Sequence, residues 1–136
     1  MNKQKKIIGR EIEFRGKRVD NGEWVFGYCL TSLDIGEHIC HLIRQVGTGG
    51  GYNDWIVSPE TVGQYTGRKD KKGKKLFDGD FIDVEGIPAL ISWNHESALF
   101  IATEKTKYED WRMGNCFSRY EKIGNKFDNP ELLKIL

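Results

Sequence analysis

Short runs in which apolar and polar residues alternate recur along the chain, set apart by glycines, asparagines and aspartates. From Arg10, the residues Glu11, Glu13 and Arg15 fall on one side and Ile12 and Phe14 on the other, the period of a half-buried strand. Asn21-Gly22 follows, a pair that tolerates positive φ at both positions, and the aromatic run Trp24–Leu30 returns. Residues 10–30 therefore predict a β-hairpin. After a turn at Thr31–Glu37, a strand is expected over His38–Val46, with His38, Cys40, Leu42 and Arg44 on one face and Ile39, His41, Ile43 and Gln45 on the other. Gly47–Asp54 carries too many glycines for a regular element and reads as a flexible loop, after which Trp55–Val57 resumes as a strand. Ser58 and Pro59 suit the cap and first position of one helical turn.

The stretch Glu60–Val84 organises the rest. Val62 to Thr66 reads as a strand ending at Gly67, Asp70-Lys71-Lys72-Gly73 as a turn, and Asp78-Gly79-Asp80 as a second turn before the strand Phe81–Val84. Ile87–Trp93 and Ala98–Thr103 continue the pattern, with Pro88 suggesting an edge strand or a bulge. Glu104–Gly114 fits a short helix or an aromatic-lined loop, Cys116–Ile123 a last strand, and Asn129-Pro130 the start of a terminal helix. Strands about 8–12 residues apart with turn signals between them mark a small barrel or sandwich, so the fold class is all-β with short helical turns. The tryptophans Trp24, Trp55, Trp93 and Trp111, with Phe14, Phe26, Phe81 and Phe100, are the expected core of two small lobes.

Composition narrows the setting. In 136 residues there is room for one domain or two very small ones, and no apolar run approaches the roughly 20 residues of a membrane span. The basic N-terminus leads into no apolar stretch, so a secretory signal is not expected. Three cysteines, Cys29, Cys40 and Cys116, read as reduced thiols in a cytoplasmic protein. The net charge of +1 conceals an asymmetry: residues 1–75 hold 14 Lys/Arg against 9 Asp/Glu, and residues 76–136 hold 7 against 11. A partner-facing patch or two solvated surfaces would both account for it.

Three stretches resemble the YopX family of bacteriophage and prophage proteins. They are REIEFRGKRVDNGEWVFG at Arg10–Gly27, IVSPETVGQYTGRKDKKGKKLFDGDFIDV at Ile56–Val84, and IGNKFDNPELL at Ile123–Leu133. The resemblance implies a mostly β protein with an SH3-like barrel in its C-terminal portion and a capacity to form oligomers. It brings no activity, cofactor or catalytic residue. The expected organisation is a flexible 1–9, an N-terminal hairpin sheet over 10–66, a basic turn at 67–75, and an SH3-like barrel with a short terminal helix over 76–136.

Candidate chemistry is sparse. Arg68, Lys69, Lys71, Lys72, Lys74 and Lys75 surround a single Asp70, a cluster able to contact several phosphates, with Tyr65 close enough to stack on a base. The plainer account is a lysine-rich turn that keeps a hairpin soluble. Tyr108 and Trp111, if exposed, would mark a protein contact. Asp78, Asp80 and Asp83 lack the alternation that would put them on one face for a cation, and an Asp-Gly-Asp turn explains the first two. Cys29, His38, Cys40 and His41 lack zinc-ligand spacing. His95, Glu96 and Ser97 share a turn without a nucleophile elbow, and Gly47–Gly51 lacks the lysine of a phosphate loop. The expectation is a non-catalytic accessory protein without cofactor or metal that binds a protein partner or itself. A nucleic-acid-binding module built on the lysine turn is the alternative.

Overall fold

The computed structural model describes residues 9–31, 39–104 and 116–135. Among the described residues ten strands form two antiparallel sheets, and the helical elements are short 3-10 segments of three to six residues. The first sheet has the order β4-β3-β2-β1-β5-β6, and the second β10-β7-β8-β9. The all-β expectation holds.

In the first sheet, β1 (Phe14–Lys17) and β2 (Trp24–Thr31) form the hairpin predicted from Asn21-Gly22. Gly22 takes φ 72°, and the Asn21 side chain accepts the Glu23 N–H. β3 (Cys40–Val46) and β4 (Tyr52–Ile56) follow, and Gly47 N–H donates to the Gly51 carbonyl across the loop between them. Tyr52-Asn53-Asp54, expected in a flexible loop, pair instead in register with Val46, Gln45 and Arg44. Glycine content was the wrong guide there, because β3 supplies the hydrogen bonds that local propensity lacks. Pro59–Thr61 makes a 3-10 turn, after which β5 (Gly63–Lys69) pairs with β1 on one side and with β6 (Lys75–Phe77) on the other.

β7 (Asp80–Val84), β8 (Ile87–Asn94), β9 (Leu99–Thr103) and β10 (Glu121–Asn125) make the second sheet. Glu85 and Gly86, at φ 52° and 88°, form the two-residue turn joining β7 to β8. β8 is central, which corrects the edge or bulge inferred from Pro88. Pairing with β9 begins only at Leu90, so the missing Pro88 N–H falls beyond the end of that neighbour. The C-terminal segment Pro130–Ile135 is 3-10 helix.

Of the aromatics expected in the core Phe81 is fully buried, but aliphatic residues with Phe77 and Phe117 fill the rest in place of tryptophan. Leu76, Ile82, Val84, Ala89, Ile91, Ala102 and Phe117 bury together in and around the second sheet, and a smaller cluster of Val25, Ile43 and Val57 lies against the first. Trp93 is 40% exposed and packs edge-on against Phe100. Cys29 and Cys40 form a disulfide with Cα atoms 5.7 Å apart, which corrects the reading of three reduced thiols and leaves Cys116 free. Closing a loop of that length restricts the unfolded chain by about 3 kcal/mol in the chain-entropy account.

Arg15 departs furthest from expectation. Alternation set it on the polar side with Glu11 and Glu13, yet it is 3% exposed while Ile12 is 51% exposed. Its Nη1 donates to Asp80 Oδ1 at 2.6 Å, and its guanidinium lies 4.6 Å above the Trp24 ring. The second sheet covers that side of β1, so a buried carboxylate and not water receives the charge. Asp80→Ala, which strands the guanidinium and the Phe77 N–H, is expected to cost about 3–5 kcal/mol in urea unfolding. A cycle with Arg15→Met is expected to give a coupling above about 1 kcal/mol, and a coupling near zero would reduce the pair to the standing of a surface bridge.

Candidate functional site

Two regions stand out: the lysine turn with the seam beneath it, and an uncovered face of the first sheet. In the turn, the carboxylate of Asp70 is 4% exposed and directs the backbone around it. Its Oδ1 accepts the N–H groups of Lys72 and Lys74, and its Oδ2 accepts that of Lys122 in β10. Lys71 N–H donates to the Tyr120 carbonyl, so the turn is docked onto the second sheet. Burial opposes ionisation of Asp70, but the three N–H donors outweigh it and hold its pKa below the ordinary value.

The six cations of this stretch do not form one patch. Lys75 Nζ contacts Glu11 and Glu13 at 2.7 and 2.9 Å, contacts that raise its pKa. Lys72 pairs with Glu121 at 2.9 Å. Arg68, Lys69, Lys71 and Lys74 lie exposed near the tip. Tyr65 is 5% exposed and packs on Phe77, with ring centroids 5.6 Å apart, so its ring has no free face for a base. Tyr108 and Trp111 lie outside the described residues.

Below the turn, Arg15 and Lys17 from the first part of the chain meet Asp80 and Asp128 from the second, and Lys122 joins them. Lys122 Nζ lies 3.1 Å from Asp80 Oδ2, and the Phe77 N–H donates to the same oxygen at 2.7 Å. At the other end, Asp128 pairs with Lys17 and accepts the Trp24 indole N–H at 2.7 Å. The loop Gly124–Asn129 is built to present that carboxylate. Asn125 Oδ1 accepts the N–H groups of Phe127 and Asp128, and its Nδ2 donates to Asp128. Gly124, at φ 154°, leaves the space occupied by the Asn129 side chain, which a Cβ would meet at 2.3 Å. Burial opposes ionisation of Asp128, but Lys17, Asn125 and Trp24 together bring its pKa down to about 2. Burial raises that of Asp78 against the pull of Lys126 and Arg15.

Sequence reasoning missed the uncovered face. Residues directly opposite in antiparallel strands share a face. Arg15 lies opposite Phe26 and points to the second sheet, so Phe26, Tyr28 and Leu30 of β2 stand on that same side. Tyr28, Arg44 and Asp54 make one cross-strand row, and Leu30, Leu42 and Ile56 the next. Among the described residues the second sheet covers this side at β1 and does not extend over β2–β4. Tyr28, Val46, Tyr52 and Ile56 are 54–63% exposed. At the near end, Ile12, Phe26, Tyr28 and Val46 border a groove of about 330 Å³. In the middle, Arg44 clasps Asp54 through two hydrogen bonds and stacks 3.9 Å from the Tyr52 ring centroid, so the charges cancel locally. The available signal was Trp24–Leu30, apolar on both sides of its alternation.

The remaining candidates do not assemble. Among the described residues no group of three His, Cys, Asp or Glu side chains is placed to hold a metal, and no helix is long and apolar enough to cross a membrane. Asp83 accepts the Gly86 N–H in the turn after β7, and His95 and Glu96 are exposed in the turn after β8.

The folded pKa values of Asp70 and Asp128 lie below their unfolded ones, so both stabilise the fold above the ordinary carboxylate range and lose that contribution as pH falls through it, Asp128 as pH approaches about 2. Asp78 acts in the opposite sense. The urea midpoint is expected to fall over that window, and Asp128→Asn to flatten the fall. An unchanged slope would remove Asp128 from the account.

The fold is shared with a known structure. Protein EF1440 from Enterococcus faecalis is similar with a TM-score of 0.56 and 23% sequence identity, covering 92% of this chain and 99% of that one. No curated protein gives a significant match. The YopX protein family model matches residues 13–134, nearly the whole length and all three stretches that meet at the seam. This chain belongs to the YopX protein family.

Proposed function

We propose that the protein is a non-catalytic binding module that self-associates through the uncovered face of β2–β4. The observation that carries this reading is the continuity of that face. The side of the first sheet that receives the second sheet at β1 continues, still apolar, into solvent. Exposed apolar surface of this kind marks contact sites. A second copy suits it because the Arg44–Asp54 pair neutralises its charge, so two such faces meet without like-charge repulsion. The oligomers, the phage or prophage setting, the cytoplasmic location and the SH3-like form of the C-terminal portion that were expected from sequence fit this reading. In sedimentation equilibrium the protein is expected to show a concentration-dependent dimer that Tyr28→Glu and Ile56→Glu abolish with little change in melting temperature. A monomer at every concentration would overturn self-association.

A second reading rests on the exposed Lys69, Lys71 and Lys74. If they contact phosphates, fluorescence anisotropy with labelled DNA and RNA is expected to show affinity falling with salt at a log–log slope of about −2 to −3, lost on replacing all three by Glu. No binding at low salt would leave the turn as a solvated support for the seam.

A further inference from the structure

We propose that the Cys29–Cys40 disulfide places the association face under redox control, an inference that rests on the reading of β2–β4 as that face. The bond ties β2 to the first residue of β3, beside the register shift between Leu30 and Thr31. Cys29 alternates with Tyr28 and Leu30, so the bond fixes from behind the backbone that presents both. Strand pairing and a small cluster are its other supports. Among the described residues the cluster behind these strands buries Val25, Ile43 and Val57, against seven residues in the other cluster. Small cores of this kind depend on a covalent staple. The bond is also reachable. Both cysteines are partly exposed and border an open cavity of about 480 Å³ with Phe14, Ile39 and Val62.

The reductant is a cellular thiol of the glutathione or dithiol class. Its thiolate attacks one sulfur and expels the other as a thiolate, which takes up a proton. A second reductant thiol then resolves the mixed disulfide, leaving Cys29 and Cys40 as thiols and the reductant oxidised to its own disulfide. Two electrons pass to the protein, and the covalent tie between β2 and β3 is removed. The Arg15 seam and the larger core lie elsewhere and persist, so the reduced protein keeps the second sheet while β2–β4 loosen.

The full-length protein, oxidised in air or treated with dithiothreitol, tests this. Thiol titration in denaturant is expected to count one thiol in the first state and three in the second. Reduction is expected to lower the melting temperature and shift dimer to monomer, with both reversed on reoxidation. The Cys29→Ser/Cys40→Ser variant should match the reduced protein, while Cys116→Ser should respond as the unsubstituted protein does. Three thiols in the air-oxidised protein, or a reduced form that melts and associates unchanged, would overturn redox control. If neither state associates but thiol count and melting still respond, the association reading fails, and with it control of that face.

Discussion

A guanidinium taken out of water must find its counter-charge in the protein, and Arg15 finds it in Asp80, 65 residues further along the chain. The contact joins the second strand-forming position of β1 to the first of β7. Around it the same carboxylate accepts the Phe77 N–H and draws in Lys122, while the guanidinium lies over Trp24 and Phe77. A buried ion pair is no gift to stability by itself, because desolvation offsets much of the attraction. Its effect here is on geometry: a sheet docked with a different register would leave the charge uncompensated.

The rest of the seam follows the same logic and explains the charge asymmetry of the sequence. Arg15 meets Asp80, Lys17 meets Asp128, and Lys72 meets Glu121. The basic first part of the chain and its acidic second part thus face each other inside one molecule. The residue pattern of the closing motif has a role at each place. Gly124 makes room for Asn129, Asn125 shapes the loop, and Asp128 reaches the β1–β2 hairpin. The three sequence stretches in which the resemblance was read are therefore among those that hold the sheets together. The uncovered face on β2–β4 is made largely from the intervening residues.

The turns were legible because their chemistry is local. Asn21-Gly22, Asp70–Gly73 and Glu85-Gly86 are readable from a few residues each, and the strands between them follow. Arg15 was misread because alternation distinguishes two faces but does not reveal what covers either one. Its partner lay beyond any local window. Tyr52–Asp54 looked like loop because β3, and no property of those residues alone, makes them a strand. The pairing of Cys29 with Cys40 needed the β2–β3 hairpin in three dimensions. For the contact face, the apolar character of both sides of β2 was visible, but which side stayed bare depended on the reach of the second sheet.

The Trp24–Asp128 hydrogen bond spans 104 residues of a 136-residue chain. During synthesis the β1–β2 hairpin emerges well before Asp128, and the strands β3 to β10 are all made before that partner leaves the ribosome. The first sheet consequently begins life with its inward face unoccupied, its buried arginine still in water and its apolar strands open to whatever is nearby. Closure of the seam at Trp24–Asp128 thus waits for every strand between the two residues and does not follow the order in which the hairpins form.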